Sequence, residues 1–235
     1  MVLESSIYIL RKKSGSNELG GKERSMSDIV LKEVDKKIKD NWVLKDINLT
    51  FHAGKIYGLS GCNGSGKTML LRMIAGLIRP SKGEVMFGDQ VLHKDIEFPE
   101  SIGVLIEQPA FWNNYTGFEA LKTLANIRKR ISDADIKETM RSVNLDPEEK
   151  KTIRKYSLGM RQKLGIAQAI MENPDVILLD EPTNALDKNT IKKVREMLLE
   201  EAKKDKIIVI ASHNVMDLEI CDEVIELEEG SVIYE

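Results

Sequence analysis

The chain has 235 residues with 35 basic and 38 acidic side chains, a net charge of −3, so no global field draws it to nucleic acid. Apolar residues make up 42% and charged residues 31%, which suits a folded globular domain with one core and room for a small subdomain. Two distant cysteines, Cys62 and Cys221, speak for a reducing compartment and against a disulfide framework.

Residues 1–25 differ from the rest. Ser14-Gly15-Ser16-Asn17 and Gly20-Gly21 are linker-like, and Met26 is a natural starting point. This stretch reads as an expression leader or a disordered extension, with the folded domain over 26–235. Arg11-Lys12-Lys13 follow the first mildly apolar residues rather than precede them, unlike a secretory signal. The most apolar window, Met69 to Ile78, contains Arg72 and is too short to span a membrane.

From Ile29 the pattern becomes regular. Ile29 to Val34 and Ile47 to Phe51 alternate as half-buried strands, and residues 55–60 form a third. Next come Gly61-Cys62-Asn63-Gly64-Ser65-Gly66-Lys67-Thr68, the pattern G-x-x-x-x-G-K-[ST], followed by an amphipathic helix from Thr68 to Leu77. Strand, glycine loop and helix is the context in which this motif cradles a nucleotide's phosphates. The glycines let the backbone approach an anion, and the helix N-terminus adds unpaired N–H groups and a positive dipole end. Gly61, Asn63, Gly64, Ser65, Gly66, Lys67, Thr68 and Met69 are therefore the expected phosphate-loop contacts. Lys67 is expected at the β/γ-phosphates and the Thr68 hydroxyl at Mg²⁺. Cys62 fills a position in this loop that tolerates any small residue.

Further strands are expected at Gly83 to Phe87 and Gly103 to Glu107. A helical block follows from Gly117 to Asn144, with a second start signal at Ser132-Asp133. Basic clusters such as Arg128-Lys129-Arg130 read as solvated helix faces. Leu158 to Met171 is a helix ended by Asn173-Pro174. Val176-Ile177-Leu178-Leu179 is apolar throughout, as a central strand of a parallel sheet requires. A helix from Lys188 to Lys204 leads to a second such run, Ile207 to Ala211, before closing strands at Glu223 to Leu227 and Ser231 to Tyr234. Strands alternating with helices indicate α/β architecture with a parallel sheet.

The strand at Val176 ends in Asp180-Glu181, two adjacent carboxylates at the edge where parallel sheets bind ligands. Asp180 suits the metal, and Glu181 suits orientation of an attacking water. Between the two nucleotide elements lies Tyr156-Ser157-Leu158-Gly159-Met160-Arg161-Gln162-Lys163, with Ser157 as a helix N-cap.

Here the chain resembles the ATP-binding cassette (ABC) ATPases, whose signature L-S-G-G-Q it matches at Ser157 and Gly159 and departs from at Tyr156, Leu158 and Met160. The Y-S-L-G-M form is similar to proteins of the bacitracin-export and lantibiotic-immunity type. Three other elements fall in family order. Gln108 matches the glutamine that joins the metal site to the transporter contact. Ala185-Leu186-Asp187 matches the loop that crosses the dimer interface. Ser212-His213 matches the switch histidine at the γ-phosphate. The adenine-stacking aromatic is missing: Ile38 stands in its place, and nearby Trp42 either substitutes for it or packs on the strand edge.

The resemblance covers residues 28–235. It implies a P-loop NTPase fold with a RecA-like core, an antiparallel β subdomain and a helical subdomain at about 109–165. It implies ATP and Mg²⁺ as cofactors, with Thr68, Gln108 and Asp180 at the metal and Glu181, His213 and Gln108 serving catalysis. Ser157, Gly159 and Asp187 would contact nucleotide held by a second ABC subunit, in a homodimer. The partner would be a multi-span membrane permease with the cassette peripheral on the cytoplasmic face, and no nucleic acid would be bound. Phe111-Trp112-Asn113-Asn114-Tyr115 would line the permease groove or pack within the helical insert. A soluble ABC ATPase acting in translation, repair or assembly is the alternative. Against it stand the single cassette and the absence of a coiled-coil insertion, zinc spacing or basic arm.

Overall fold

The structure is a computed structural model and describes residues 28–233. The expected leader at 1–25 and the expected last strand residue Tyr234 lie outside it. Strands β1 (Ile29–Ile38) and β2 (Asn41–Phe51) form an antiparallel hairpin. Both run further than the alternation of the sequence indicated. Glu33 and Asp46 take left-handed φ of 48° and 46°, and the pairing shifts register between Leu31 and Val34. Each such bulge turns the following side chains over, so the polar run Asp35-Lys36-Lys37 loses the period-two signature while remaining strand.

Strand β3 (Ile56–Ser60) leads through the glycine loop into helix α1 (Lys67–Ile74), which ends at Ala75, short of the expected Leu77. β4 (Lys82–Phe87) pairs with β1, and β5 (Gln90–Val91), a two-residue strand too short to show a pattern, returns against β4. These four strands make a sheet in the order β2-β1-β4-β5. β6 (Ile102–Leu105) ends before Ile106, two residues earlier than expected.

The helical block is two helices, α2 (Gly117–Arg128) and α3 (Asp133–Ser142). Each opens with a capping box, Thr116 with Glu119 and Ser132 with Asp135, which satisfies first-turn N–H groups that would otherwise be orphaned. Lys129 in left-handed conformation, φ 54°, closes the first. After a short 3-10 turn at Ile153–Lys155 comes α4 (Leu158–Ile170), then β7 (Val176–Asp180), α5 (Lys188–Ala202), β8 (Ile207–Ala211), the short α6 (Val215–Leu218), β9 (Glu223–Glu228) and β10 (Ser231–Ile233).

The second sheet has the order β10-β9-β3-β8-β7-β6. β6, β7, β8, β3 and β9 pair in parallel, and β10 adds an antiparallel edge. Every residue of β7 and β8 is buried because each face meets a different core. Ile177, Leu179, Ile208 and Ile210 pack with α2, α3 and α4. Val176, Leu178, Ile207 and Val209 face α1 and the antiparallel sheet. The period of two explains why a run with no polar alternation is still a strand. The carboxyl ends of β3, β7 and β8 therefore emerge side by side, carrying the glycine loop, Asp180-Glu181 and Ser212-His213.

Candidate functional site

Gly66 caps α1 with φ 111° and has no side chain to satisfy the first-turn N–H groups, and no acidic residue stands in that turn. The helix start is thus left as an open anion receptor. Gly61 and Gly64 are also left-handed, at 140° and 84°. At Gly61 a Cβ would lie 2.2 Å from the Leu227 carbonyl oxygen, so only glycine lets the loop pass β9. Lys67 is 6% exposed and donates from Nζ to the carbonyls of Gly61 at 2.6 Å and Cys62 at 3.0 Å. A buried ammonium held by two loop carbonyls sits where a polyanion would find its counter-charge. The Ser65 hydroxyl is buried and has no partner among the described residues, a cost that a bound oxygen acceptor would remove. These features fit a nucleotide's phosphates.

Thr68 at the start of α1 donates from Oγ1 to Asp180 Oδ2 at 2.8 Å, joining residues 112 positions apart. Burial raises the Asp180 carboxyl above its ordinary range, an effect partly offset by the Thr68 hydroxyl. One hydroxyl and one carboxylate are hard oxygen donors suited to Mg²⁺, which takes few protein ligands and fills its shell with water and phosphate. That economy explains why, among the described residues, no group of three metal-binding side chains forms. Gln108 follows Glu107, whose backbone N–H donates to the Asp180 carboxyl. Gln108 itself is exposed and makes no hydrogen bond among the described residues, while its neighbour Glu107, at φ 60°, pairs with Arg72 at 2.6 Å.

Glu181 has a left-handed φ of 48°, and its backbone N–H donates to the Ala211 carbonyl at 2.8 Å. Its carboxylate meets the end of β8. Oε1 accepts from the His213 backbone N–H at 3.1 Å and lies 2.6 Å from His213 Nδ1, while Ser212 Oγ lies 3.1 Å from Oε2. A carboxylate oxygen only accepts, so Nδ1 carries the hydrogen in this contact. Two residues that the sequence placed in one site, Glu181 and His213, are thus in direct contact.

Sequence reading did not single out several residues that hold this turn. Gln162, 7% exposed on α4, donates from Nε2 to the carbonyls of Glu181 and Pro182 at 2.9 and 3.2 Å. Thr183 and the buried Asp217 are joined at 2.6 Å. Nothing local in the sequence marks them; a glutamine on a helix's apolar face was the only available sign.

Ser157 caps α4 by accepting from the Met160 N–H at 3.2 Å. Gly159 packs against the Ala185 turn, where a Cβ would lie 2.6 Å from the Ala185 carbonyl oxygen. Among the described residues no hydrogen bond joins Ser157 or Gly159 to the phosphate loop. Leu158 between them is 54% exposed. Asp187 caps α5, and its carboxyl is held far below the usual range by the Thr190 hydroxyl and N–H, with Lys163 adding its charge. Ile38 and Trp42 are both exposed, and the Lys37 ammonium lies 5.5 Å from the Trp42 ring centroid. Trp42 lies opposite Lys37 across the β1–β2 pairing, and the next residues, Val43 and Leu44, abut Gly66 of the phosphate loop. Phe111 and Trp112 are half-buried against the helical core, and Trp112 stacks obliquely on the exposed Tyr115 with ring centroids 5.7 Å apart.

The ABC transporter family matches residues 44–184 of this chain. The ABC transporter ATP-binding protein YybJ of Bacillus subtilis (strain 168) is 47% identical over 196 residues, covering 83% of this chain and 90% of that protein. The bacitracin transport ATP-binding protein BcrA of Enterococcus faecalis is 37% identical over 210 residues, covering 88% of this chain and 68% of that protein. Among solved structures, the dimeric structure of MJ0796, a bacterial ABC transporter cassette, superposes with a TM-score of 0.78 at 26% identity, covering 88% of this chain and 97% of that one.

Proposed function

The chain belongs to the ABC transporter family as an ATP-binding subunit, and on that premise we propose that it hydrolyses Mg-ATP between two head-to-tail copies to drive a separate membrane-spanning exporter. The observation that carries this reading is the Thr68–Asp180 hydrogen bond at 2.8 Å, which joins the head of α1 to the end of β7 beside the buried Lys67.

In this reading Lys67 and the open N–H groups of α1 hold the β- and γ-phosphates. Thr68 and Asp180 hold the divalent ion, and Mg²⁺ when bound supplies charge neutralisation across the phosphate oxygens. Glu181 orients the attacking water and takes its proton; the His213 contact holds that carboxylate in place beforehand. Ser157 and the N-terminus of α4 bind the γ-phosphate of the opposing copy. Trp42, exposed on β2 just before the residues that abut Gly66, is the aromatic available to the base. The likeness to a bacitracin transport protein supports an exporter. Among the described residues no helix is long and apolar enough to cross a membrane, so the spans would come from another chain.

The test is Glu181→Gln trapped with ATP in its native cells and purified from membranes. The expected result is bound ATP, turnover below about 1% of wild type, and a stoichiometric multi-span membrane protein. Retained turnover would show that Glu181 is not the base. A purely soluble complex would refute transport coupling and favour the soluble ABC ATPase.

A further inference from the structure

Ser212 has one hydroxyl hydrogen and two carboxylates within reach of it. Its Oγ lies 2.8 Å from Asp217 Oδ2 and 3.1 Å from Glu181 Oε2, and it accepts from the Asn214 N–H at 3.0 Å. A hydroxyl donates once, so two ionised carboxylates cannot both be served.

Burial decides the competition. Asp217 is 3% exposed and Ser212 is fully buried. Asp217 Oδ1 accepts from Thr183 Oγ1 at 2.6 Å, and among the described residues no cation forms a salt bridge with it. A carboxylate so placed depends on both hydroxyl donors, because leaving either oxygen bare in the interior costs the full desolvation of that oxygen. The Glu181 side chain is 21% exposed, and its Oε1 already has the two His213 contacts. Water can therefore serve Glu181 but not Asp217, and the shorter distance agrees.

We propose that Asp217 is a positioning residue for hydrolysis: by holding the Ser212 hydroxyl hydrogen it leaves Glu181 Oε2 as an open acceptor. The same carboxylate clamps the two segments that carry the pair, since Thr183 follows Glu181 and Asp217 follows His213. In the reaction the water oxygen bonds to the γ-phosphorus. The bond to the β–γ bridging oxygen breaks, its electron pair leaving on ADP, and the water's proton goes to Glu181 Oε2. A Ser212 hydroxyl turned toward Oε2 would occupy that acceptor. The inference rests on Glu181 as the base, which Glu181→Gln tests independently.

Asp217→Ala leaves Glu181 Oε2 as the remaining carboxylate acceptor for Ser212. The expected result is a kcat about tenfold lower, with the ATP KM and the ATP affinity measured without turnover close to wild type, and a melting temperature lowered by the unpaired Thr183 hydroxyl. Adding Ser212→Ala removes the misdirected hydroxyl and should raise kcat back to that of the Ser212→Ala single variant. Asp217→Asn, whose amide oxygen can still accept, should fall between, and Ser212→Ala should raise it likewise. This milder variant carries the test if Asp217→Ala does not fold. Losses that multiply in the double variants, or a kcat loss matched by an equal loss of ATP affinity, would reduce Asp217 to a structural residue and overturn the proposal. Asp217→Asn with wild-type kcat would do the same.

Discussion

The phosphate loop matches its motif in full and the Ser157–Gly159 corner matches in part, and the fold treats them differently. The first is completed within the chain. Thr68 meets Asp180 at 2.8 Å, Lys67 is locked to Gly61 and Cys62, and Glu181 meets His213. The second is finished locally but not chemically. Ser157 caps its own helix, Gly159 rests on the Ala185 turn, and exposed Leu158 faces outward. A motif satisfied inside one chain does its work there, whereas the exposed helix start at Ser157 is the part that the proposed second copy would complete. The contrast is physical: β3, β8 and β7 are hydrogen-bonded neighbours and bring their loops together, while the start of α4 is held by its own Ser157 cap and by the Ala185 turn.

The largest break in this comparison is Lys67→Ala. It should abolish nucleotide binding, because the ammonium is the loop's only buried cation and no neighbour replaces it. Titration with a fluorescent ATP analogue checks this; near-normal affinity would remove the phosphate-loop assignment. Next comes Ser157→Arg, aimed at the other region. Binding to the monomer should stay within about twofold, while hydrolysis and ATP-dependent dimer formation fall about tenfold or more. Light scattering with Glu181→Gln as background reads the dimer. Equal loss of binding would mean that the corner supports its own chain's site after all.

The smallest effect concerns Asp180 in the nucleotide-free protein. Burial raises its folded pKa above the model-peptide value of 3.8, so its ionised form opposes folding at neutral pH. That penalty is fully removed below the unfolded value and grows as pH rises through the folded one. Asp180→Asn should therefore melt a few degrees above wild type at pH 7, with the gap closing toward pH 4. A gap independent of pH would show that the Thr68 hydroxyl, which Asn can also accept, sets the difference.

Particular residues show how much could be read beforehand. Val176 to Asp180 and Ile207 to Ala211 were legible as central strands because both faces are apolar. Thr116 and Ser132 show why one helical block is two helices. Both starts, at Gly117 and at Ser132-Asp133, were marked in advance, but the stop at Lys129 depends on a left-handed turn that carries no glycine. The strand residues Asp35 to Ile38 and Asn41 to Leu44 were not legible, since bulges at Glu33 and Asp46 cancel the alternation. In the candidate site, Gly61 to Thr68 and Asp180-Glu181 stood out by residue type and spacing, and the fold brings Thr68 and Asp180 together. Gln162, Thr183 and Asp217 did not stand out, because each acts through a contact with a residue distant in sequence.

The sequence by itself determined the chemistry on offer: a glycine loop ending in Lys67-Thr68, two carboxylates after a buried strand, and a histidine after another. Those signals are local, set by backbone freedom, side-chain type and the period of burial. Tertiary structure alone decided that Asp180 accepts from Thr68, that Glu181 takes His213 on one oxygen, and that Ser212 is shared with Asp217. Such pairings depend on strand order and on which carboxylate is deprived of water, and neither is written in any short stretch of chain.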